Sequence, residues 1–317
     1  MILTITLNPA IDKVYEIEDF SVGQVFRPKA MTDTAGGKGL NVARVIHLLG
    51  EKVMVTGFLG GHNGQLIGER LRAAGITSHF LEIEGETRVC IAIMDRQNHT
   101  STEILEPGPQ VEANDALAFL DHYDRLSNEV RIVTVSGSLP AGLDVDFYRS
   151  LAEKAKSKNQ LFLLDTSGSP LERAISAKPY MVKPNLDEVQ MLLKRKLPDL
   201  TTQAKAVAEL KEAGIALPCL TLGGNGSLVA LDDGVYHFFG PELNVLNTVG
   251  SGDSFVAGCA VALQRGWSKR DVIRLGMACG MANTQFFQTG MISQELVAKF
   301  YQQIRIEKIL SSFICLS

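Results

Sequence analysis

Asp253 stands directly after a run of small residues, Asn247-Thr248-Val249-Gly250-Ser251-Gly252. The run falls where an apolar stretch (Leu243, Val245, Leu246) gives way to a helix-period pattern (Phe255, Val256, Cys259, Val261, Leu263). At such a junction the backbone N–H groups of Gly250, Ser251 and Gly252 are free, and with the helix dipole they attract an anion, a phosphate above all. A carboxylate beside an anion cradle is repelled by its guest. The useful role for Asp253 is therefore a base that takes a proton from an attacking hydroxyl while the cradle holds the group under attack. The same residues also fit a plainer pattern, a glycine turn followed by an aspartate in the first turn of a helix.

A second glycine loop, residues 36–41 (Gly-Gly-Lys-Gly-Leu-Asn), also opens a helix pattern, through Val42, Val45, Ile46, Leu48 and Leu49. A Walker A loop carries Ser or Thr after its lysine to reach magnesium, and Gly39 stands there instead. The first strand pattern, Ile2 to Leu7, leads into Asn8-Pro9-Ala10-Ile11-Asp12 rather than Gly-x-Gly-x-x-Gly, which argues against a dinucleotide fold. The glycines from Gly57 to Gly64 are in the wrong order for that fingerprint.

The elements that must position these loops follow from the apolar pattern. Strand-like runs at Val53 to Phe58, Ile132 to Val135, Leu161 to Leu164, Met181 to Val182 and Pro218 to Leu222 alternate with helix-period segments. That alternation predicts a mostly parallel sheet with helices on both faces. Val14 to Met31 and Thr87 to Leu105 break the rhythm and read as strands set apart from the main sheet. A chain of 317 residues with 45% hydrophobic content can bury a full core as one large domain. A net charge of −4 with no long basic run argues against a nucleic-acid partner. Five widely spaced cysteines (Cys90, Cys219, Cys259, Cys279, Cys315) suggest neither a disulfide framework nor a zinc site, and each reads as a core residue or an unpaired thiol. None of the histidines, His99 included, stands at metal spacing from another ligand. The chain opens on a strand pattern and no apolar run reaches the roughly 18 residues of a membrane span, so no membrane partner and a cytoplasmic location are expected. Ser311 to Ser317 carry no pattern and read as a mobile tail.

The two loops, at residues 36–50 and 247–259, resemble the two signatures of the ribokinase-like (PfkB) carbohydrate kinases. Between and around them TITLNPAIDK (4–13), GETR (85–88), SGSLP (136–140), KPNLDE (183–188) and LGGNGS (222–227) are similar to family segments, in family order. The stretches GETRVCIAI, TEILEPGP and LNTVGSGDS look most like the ketohexose-phosphate kinase branch, tagatose-6-phosphate kinase and 1-phosphofructokinase, with the former nearer. The resemblance implies a ribokinase-like three-layer α/β/α fold with a mostly parallel central sheet and a small β-sheet lid. It implies one kinase domain over residues 1–310, lid strands from about 14–31 and 87–105, and a homodimer through the lid.

It also implies ATP and magnesium as cofactors and a sugar phosphate as partner. At the sugar end Asp12 would accept hydrogen bonds from two hydroxyls, its plainer reading being a turn aspartate after Pro9. Gly36, Gly37 and Asn41 would bring backbone and amide groups to the same hydroxyls. Lys38, Arg88 and, on a looser match, Arg27 would anchor the existing phosphate, against the ordinary reading of a solvated charge. Ser136 and Ser138 would add hydroxyls or serve as turn residues, and Glu103 and Glu106 would discriminate ring hydroxyls. At the nucleotide end stand Lys183, Asn185, Thr221, Gly223, Gly224, Gly226 and Asn283. Asn185 and Glu188 have the spacing by which the family holds magnesium and its waters, and also the spacing of a helix capping box. Asn247 departs from the aspartate that many relatives carry, which places a monovalent-cation site in doubt. Two other functions remain open: a non-catalytic sugar-phosphate sensor, opposed by Asp253 and its cradle, and a kinase for an uncharged sugar or nucleoside, opposed by Lys38 and Arg88.

Overall fold

The computed structural model describes residues 1–98 and 100–311. The readings of His99, Cys315 and the tail beyond Ser311 lie outside the described residues. In chain order the strands are β1 (Ile2–Thr6), β2 (Ala10–Ile17), β3 (Ala30–Gly36), β4 (Val53–Leu59), β5 (Thr77–Ser78), β6 (Leu81–Glu82), β7 (Val89–Asp95), β8 (Thr100–Leu105), β9 (Ile132–Ser136), β10 (Leu161–Asp165), β11 (Met181–Val182), β12 (Leu217–Thr221), β13 (Ser227–Leu231), β14 (Gly234–Phe239) and β15 (Arg305–Leu310). The helices are α1 (Lys38–Leu48), α2 (Gly61–Ala73), α3 (Ala113–Leu126), α4 (Phe147–Ser157), α5 (Gly168–Ile175), α6 (Leu186–Leu193), α7 (Leu200–Glu212), α8 (Ser251–Gln264), α9 (Lys269–Asn283) and α10 (Gln294–Gln303).

Among the described residues the strands form two sheets. The central one has eleven strands in the order β15-β14-β13-β12-β11-β10-β9-β1-β4-β5, with β6 also paired to β4. From β5 to β12 the pairings are parallel, and from β12 to β15 antiparallel. The parallel strands are short apolar runs because both their faces are covered. Ile2, Ile132, Leu163 and Leu217 share one core with α1, α8, α9 and α10, while Leu3, Val133, Leu164 and Leu220 share the other with α3, α4, α5 and α7. This is the three-layer α/β/α arrangement that the alternation predicts.

Strand order runs outward from β1 in both directions, to β4 and β5 on one side and β9 to β12 on the other. The crevice between β1 and β9 is thus a topological switch point, where the connections leaving the carboxyl ends diverge and room for a ligand opens. Helix α8 is held close to α9 by two glycines. A Cβ on Gly258 would lie 2.6 Å from the carbonyl oxygen of Leu275, and one on Gly276 would lie 3.0 Å from that of Phe255.

The second sheet runs β3-β2-β7-β8. Its strands occupy 10–17 and 30–36 rather than a continuous 14–31, because Asp19 with φ 55 and Pro28 interrupt the chain between them. Asp12 therefore belongs to β2 and not to a loop. Register places Asp12, Cys90, Leu105 and Thr34 side by side on one face, and Lys13, Ile91, Ile104 and Asp33 on the other. The tip of this sheet is fastened by the Asp95 carboxylate, which accepts from the N–H groups of Asp19 (3.1 Å), Phe20 (2.7 Å), Gln97 (3.0 Å) and Asn98 (3.2 Å).

Candidate active site

Two carboxylates, Asp165 and Asp253, and two lysines, Lys38 and Lys183, converge at the carboxyl ends of β10 and β11 and the start of α8. Gly250 enters α8 in the left-handed region, φ 81, and a Cβ there would stand 2.4 Å from Thr289 Cγ2. No side chain caps the helix at Gly250, so first-turn donors stay open to a guest. The Ser251 N–H turns back to the carbonyl of Thr248 (3.2 Å), which leaves Gly250 and Gly252 as the better members of the expected trio. Lys183 reaches toward the same spot, its Nζ 3.2 Å from where a Cβ on Gly252 would be.

Asp253 is 5% exposed, and its Oδ2 accepts from the side-chain amide of Asn41 at 2.9 Å. Burial pushes its carboxyl up to about 6, helped by Asp165 and opposed by Lys38, the Asn41 amide and Lys183. A carboxylate poised there is ionised at neutral pH yet basic enough to accept a proton. Asp165, which the sequence reading missed, is fully buried at the end of β10, 3.2 Å from Lys183 Nζ and 3.9 Å from Lys38 Nζ. Burial alone would push Asp165 up, but the two ammoniums outweigh it and hold the carboxyl below its ordinary range. In return Asp165 lifts Lys38 above the usual lysine value against the effect of burial. The two lysines are aimed by one carboxylate. Local sequence gives no hint of this, since Asp165 reads as the polar end of an apolar strand.

On the sugar side Asp12 Oδ2 accepts from the Gly37 N–H at 3.1 Å, and a Cβ on Gly36 would lie 2.1 Å from the same carboxylate. Burial raises the Asp12 carboxyl against the Gly37 N–H, Arg88 and Arg44, and Glu103 adds to the rise. Arg88 donates from Nε and Nη2 to the carbonyl of Asn8 (3.2 and 2.9 Å) and from Nη1 to that of Glu106 (3.0 Å). Its guanidinium is thus fixed at the mouth of the switch-point crevice. Glu106 spends Oε2 on the Val89 N–H (2.7 Å), which leaves Glu103 as the freer acid. Ser136 is buried with its Oγ unpartnered, and the Asn8 amide reaches Ser138 Oγ at 3.4 Å. Arg27 lies exposed in the connection between β2 and β3.

At the far end Asn185 and Glu188 form a complete capping box on α6. Asn185 Oδ1 accepts from the Glu188 N–H (2.9 Å), and Glu188 Oε2 from the Asn185 N–H (2.8 Å). The other Glu188 oxygen is uncommitted by that box. Asn185, Thr221 and Gly223 line a cleft of about 580 Å³. Gly226 is a turn residue, φ 88, whose Cβ would meet the Phe238 carbonyl at 2.0 Å. Gly224 faces open space. Asn283 is wholly buried beneath the cradle. Its amide donates to Val249 O (2.9 Å) and its oxygen accepts from Gly290 N–H (2.8 Å) and Ser254 O–H (3.2 Å), so its polar atoms are spent on holding the loop. Asn247 likewise accepts from the Val249 N–H (3.0 Å) and donates to Phe287 O (2.8 Å).

The pattern of the pfkB family carbohydrate kinases matches residues 3–295. Among solved structures the chain is similar to a possible 1-phosphofructokinase of Thermotoga maritima, 31% identical over 98% of this chain and 99% of that one, with a TM-score of 0.91. It is also similar to phosphofructokinase-2 of Escherichia coli in complex with potassium, 25% identical over 95% of this chain and 98% of that one, TM-score 0.89. The tetrameric inhibited form of that enzyme matches over the same shares at a TM-score of 0.88.

Proposed function

The chain belongs to the pfkB family of carbohydrate kinases, and on that premise we propose that it transfers the γ-phosphoryl group of ATP to the free primary hydroxyl of a ketohexose monophosphate, making a bisphosphate. The observation that carries this reading is Asp253, buried, raised to about 6, held through one oxygen by Asn41 and placed in the first turn of α8. Its free oxygen, Oδ1, takes the hydroxyl proton as the sugar oxygen attacks phosphorus and the bond to ADP breaks. Gly250, Ser251 and Gly252 at the helix start, with Lys183 and Lys38, stabilise charge on the moving phosphoryl group, the larger part of catalysis in such transfers. Asp12, Gly36, Gly37 and Asn41 orient the sugar hydroxyls, and Lys38 and Arg88 hold the phosphate already present. Arg27, exposed before β3, is a further cation for that phosphate.

Asn185, Thr221, Gly223 and Lys183 form the nucleotide side, with Gly226 and Asn283 shaping it from behind. The free oxygen of Glu188 suits a water of hydrated magnesium, an ion that keeps several waters and takes few protein ligands. When bound, magnesium neutralises charge on the β- and γ-phosphates. With Asn247 in place of an aspartate and its amide already engaged, a monovalent cation has no added carboxylate there.

The preferred acceptor is tagatose 6-phosphate, on the likeness of GETRVCIAI, TEILEPGP and LNTVGSGDS to that branch. Fructose 1-phosphate is the second reading, favoured by the likeness to the Thermotoga protein. Comparing kcat/KM for these two, fructose 6-phosphate and the free sugars with ATP decides between them. Preference for an unphosphorylated sugar would reject the ketohexose-phosphate assignment. The small sheet is the lid and the dimer surface in this reading. Its edge strand β8 is exposed throughout, with Ile104 54% and Leu105 61% accessible and Met31 61% accessible on the opposite edge, a set that a second copy would cover. No helix among the described residues is long and apolar enough to cross a membrane.

A further inference from the structure

One guanidinium joins three parts of the site. Arg44, in the second turn of α1, donates from Nη1 to Asn41 Oδ1 (3.0 Å) and to the carbonyl of Thr289 (2.8 Å), and from Nη2 to the carbonyl of Ala35 (2.5 Å). Ala35 lies in β3 one residue before Gly36, which packs on Asp12. Thr289 and Gly290 form the wall against which the cradle rests, for a Cβ on Gly250 would stand 2.4 Å from Thr289 Cγ2 and 3.1 Å from Gly290 N. Asn41 in turn donates to the base, Asp253. There is no slack in this contact: a Cβ on Gly290 would lie 2.9 Å from Arg44 Nη1 and 3.0 Å from Asn41 Cα.

We propose that Arg44 is a positioning residue of the transfer step, fixing the Asn41 amide so that its NH2 occupies Oδ2 of Asp253 and Oδ1 is left to take the proton. A carboxamide has an oxygen end and a nitrogen end of nearly equal shape. Turned over, Asn41 would set its oxygen lone pairs against the carboxylate. A guanidinium has donors and no acceptor, so only the oxygen end can face it, and the NH2 end must then face Asp253. The rigid fork also reaches the Ala35 and Thr289 carbonyls at once, which a point-like ammonium does not. Closing of the sugar-side strand end, seating of the cradle wall and orientation of the base are thereby set by one side chain. The charged groups facing Asp253 are Lys38 and Arg44 from α1, Asp165 from the end of β10 and Lys183 after β11, with Asp12 of β2 facing Arg44.

This inference rests on Asp253 as the base, so Asp253→Asn is assayed beside Arg44→Met, Asn41→Leu and the double variant. The acceptor is the ketohexose monophosphate turned over fastest. Arg44→Met is expected to lower kcat about tenfold or more, as loss of orientation does, with KM for ATP changed less than about twofold. The acid limb of kcat should move up by about half a pH unit, since a cation and an ordered donor are lost. The double variant should be slower than Asn41→Leu alone by clearly less than the factor Arg44→Met costs on its own, because the two share one amide while the Ala35 and Thr289 contacts belong to Arg44. A wild-type kcat and acid limb in Arg44→Met, or losses that multiply in the double variant, would overturn the proposal. Near-normal turnover in Asp253→Asn would remove the base and this inference together, whereas an inactive Asp253→Asn beside a normal Arg44→Met removes only the latter. If Arg44→Met does not fold, Arg44→Lys takes its place: charge is kept and the fork lost, so kcat falls while the acid limb moves up by less than about half a unit, and a wild-type kcat there overturns the proposal.

Discussion

Protonation of Asp253 should set the acid limb of turnover, and Lys38 should set where that limb lies. A base that must be ionised loses activity tenfold per pH unit below its pKa. At about 6 rather than the ordinary 3.8, roughly nine-tenths of the activity is gone at pH 5 and about a tenth at pH 7. An unperturbed aspartate would still be almost fully active at pH 5. Burial is the first cause of the rise and the Lys38 ammonium the largest force against it. Removing that ammonium in Lys38→Met leaves burial less opposed, and an opposite charge close by is worth about one to three units. The limb should therefore move from about 6 to about 7 or higher. The assay is ADP release at saturating ATP, magnesium and sugar phosphate across the range from acid to mildly alkaline pH, at constant ionic strength, with circular dichroism as the check on folding. Asp253→Asn should be slower by about 100-fold or more on the plateau above the limb, and should lack the acid limb itself. A wild-type limb near the ordinary carboxyl value, or a limb that stays in place in Lys38→Met, would refute the reasoning.

Arg88→Ala should weaken the sugar phosphate far more than ATP by calorimetry, and equal losses for both would reject its role as the phosphate anchor. Glu188→Gln should raise the magnesium concentration for half-maximal rate; an unchanged titration returns Glu188 to a helix cap alone. Gly258→Ala should destabilise the protein by about 1–3 kcal/mol, the usual cost of overpacking, because its Cβ would sit 2.6 Å from the backbone oxygen of Leu275. A denaturation midpoint equal to wild type would contradict the tight α8–α9 contact.

Much of the frame was legible because parallel strands must be apolar on both faces. The runs at Val53, Ile132, Leu161, Met181 and Pro218 coincide with β4, β9, β10, β11 and β12 to within a residue or two. The glycine loops were legible too, since their composition is demanded by close approach and positive φ at Gly37 and Gly250. The antiparallel end, β13 to β15, was not. Its strands are defined by pairing with one another, and β15 (RIEKIL) lies partly exposed at the edge, where no strong alternation is needed. Asp165 and Arg44 were missed for a different reason. Each looks ordinary in its own element, and its chemistry comes from partners far away in the chain, Lys38 for one and Thr289 for the other. Asn283 was noticed but not its bonds to Val249, Gly290 and Ser254, because sequence tells that an asparagine sits near a helix end and not which way its amide faces.

The central claim is that a sugar already carrying one phosphate receives a second on its free primary hydroxyl. Phosphorus NMR of a reaction holding the protein, magnesium, ATP and tagatose 6-phosphate follows this directly. The expected result is a second sugar-phosphate resonance, coupled to the protons of carbon 1, growing in step with ADP and absent with Asp253→Asn. No new sugar-phosphate signal with any ketohexose monophosphate, beside ready phosphorylation of a free sugar, would contradict it.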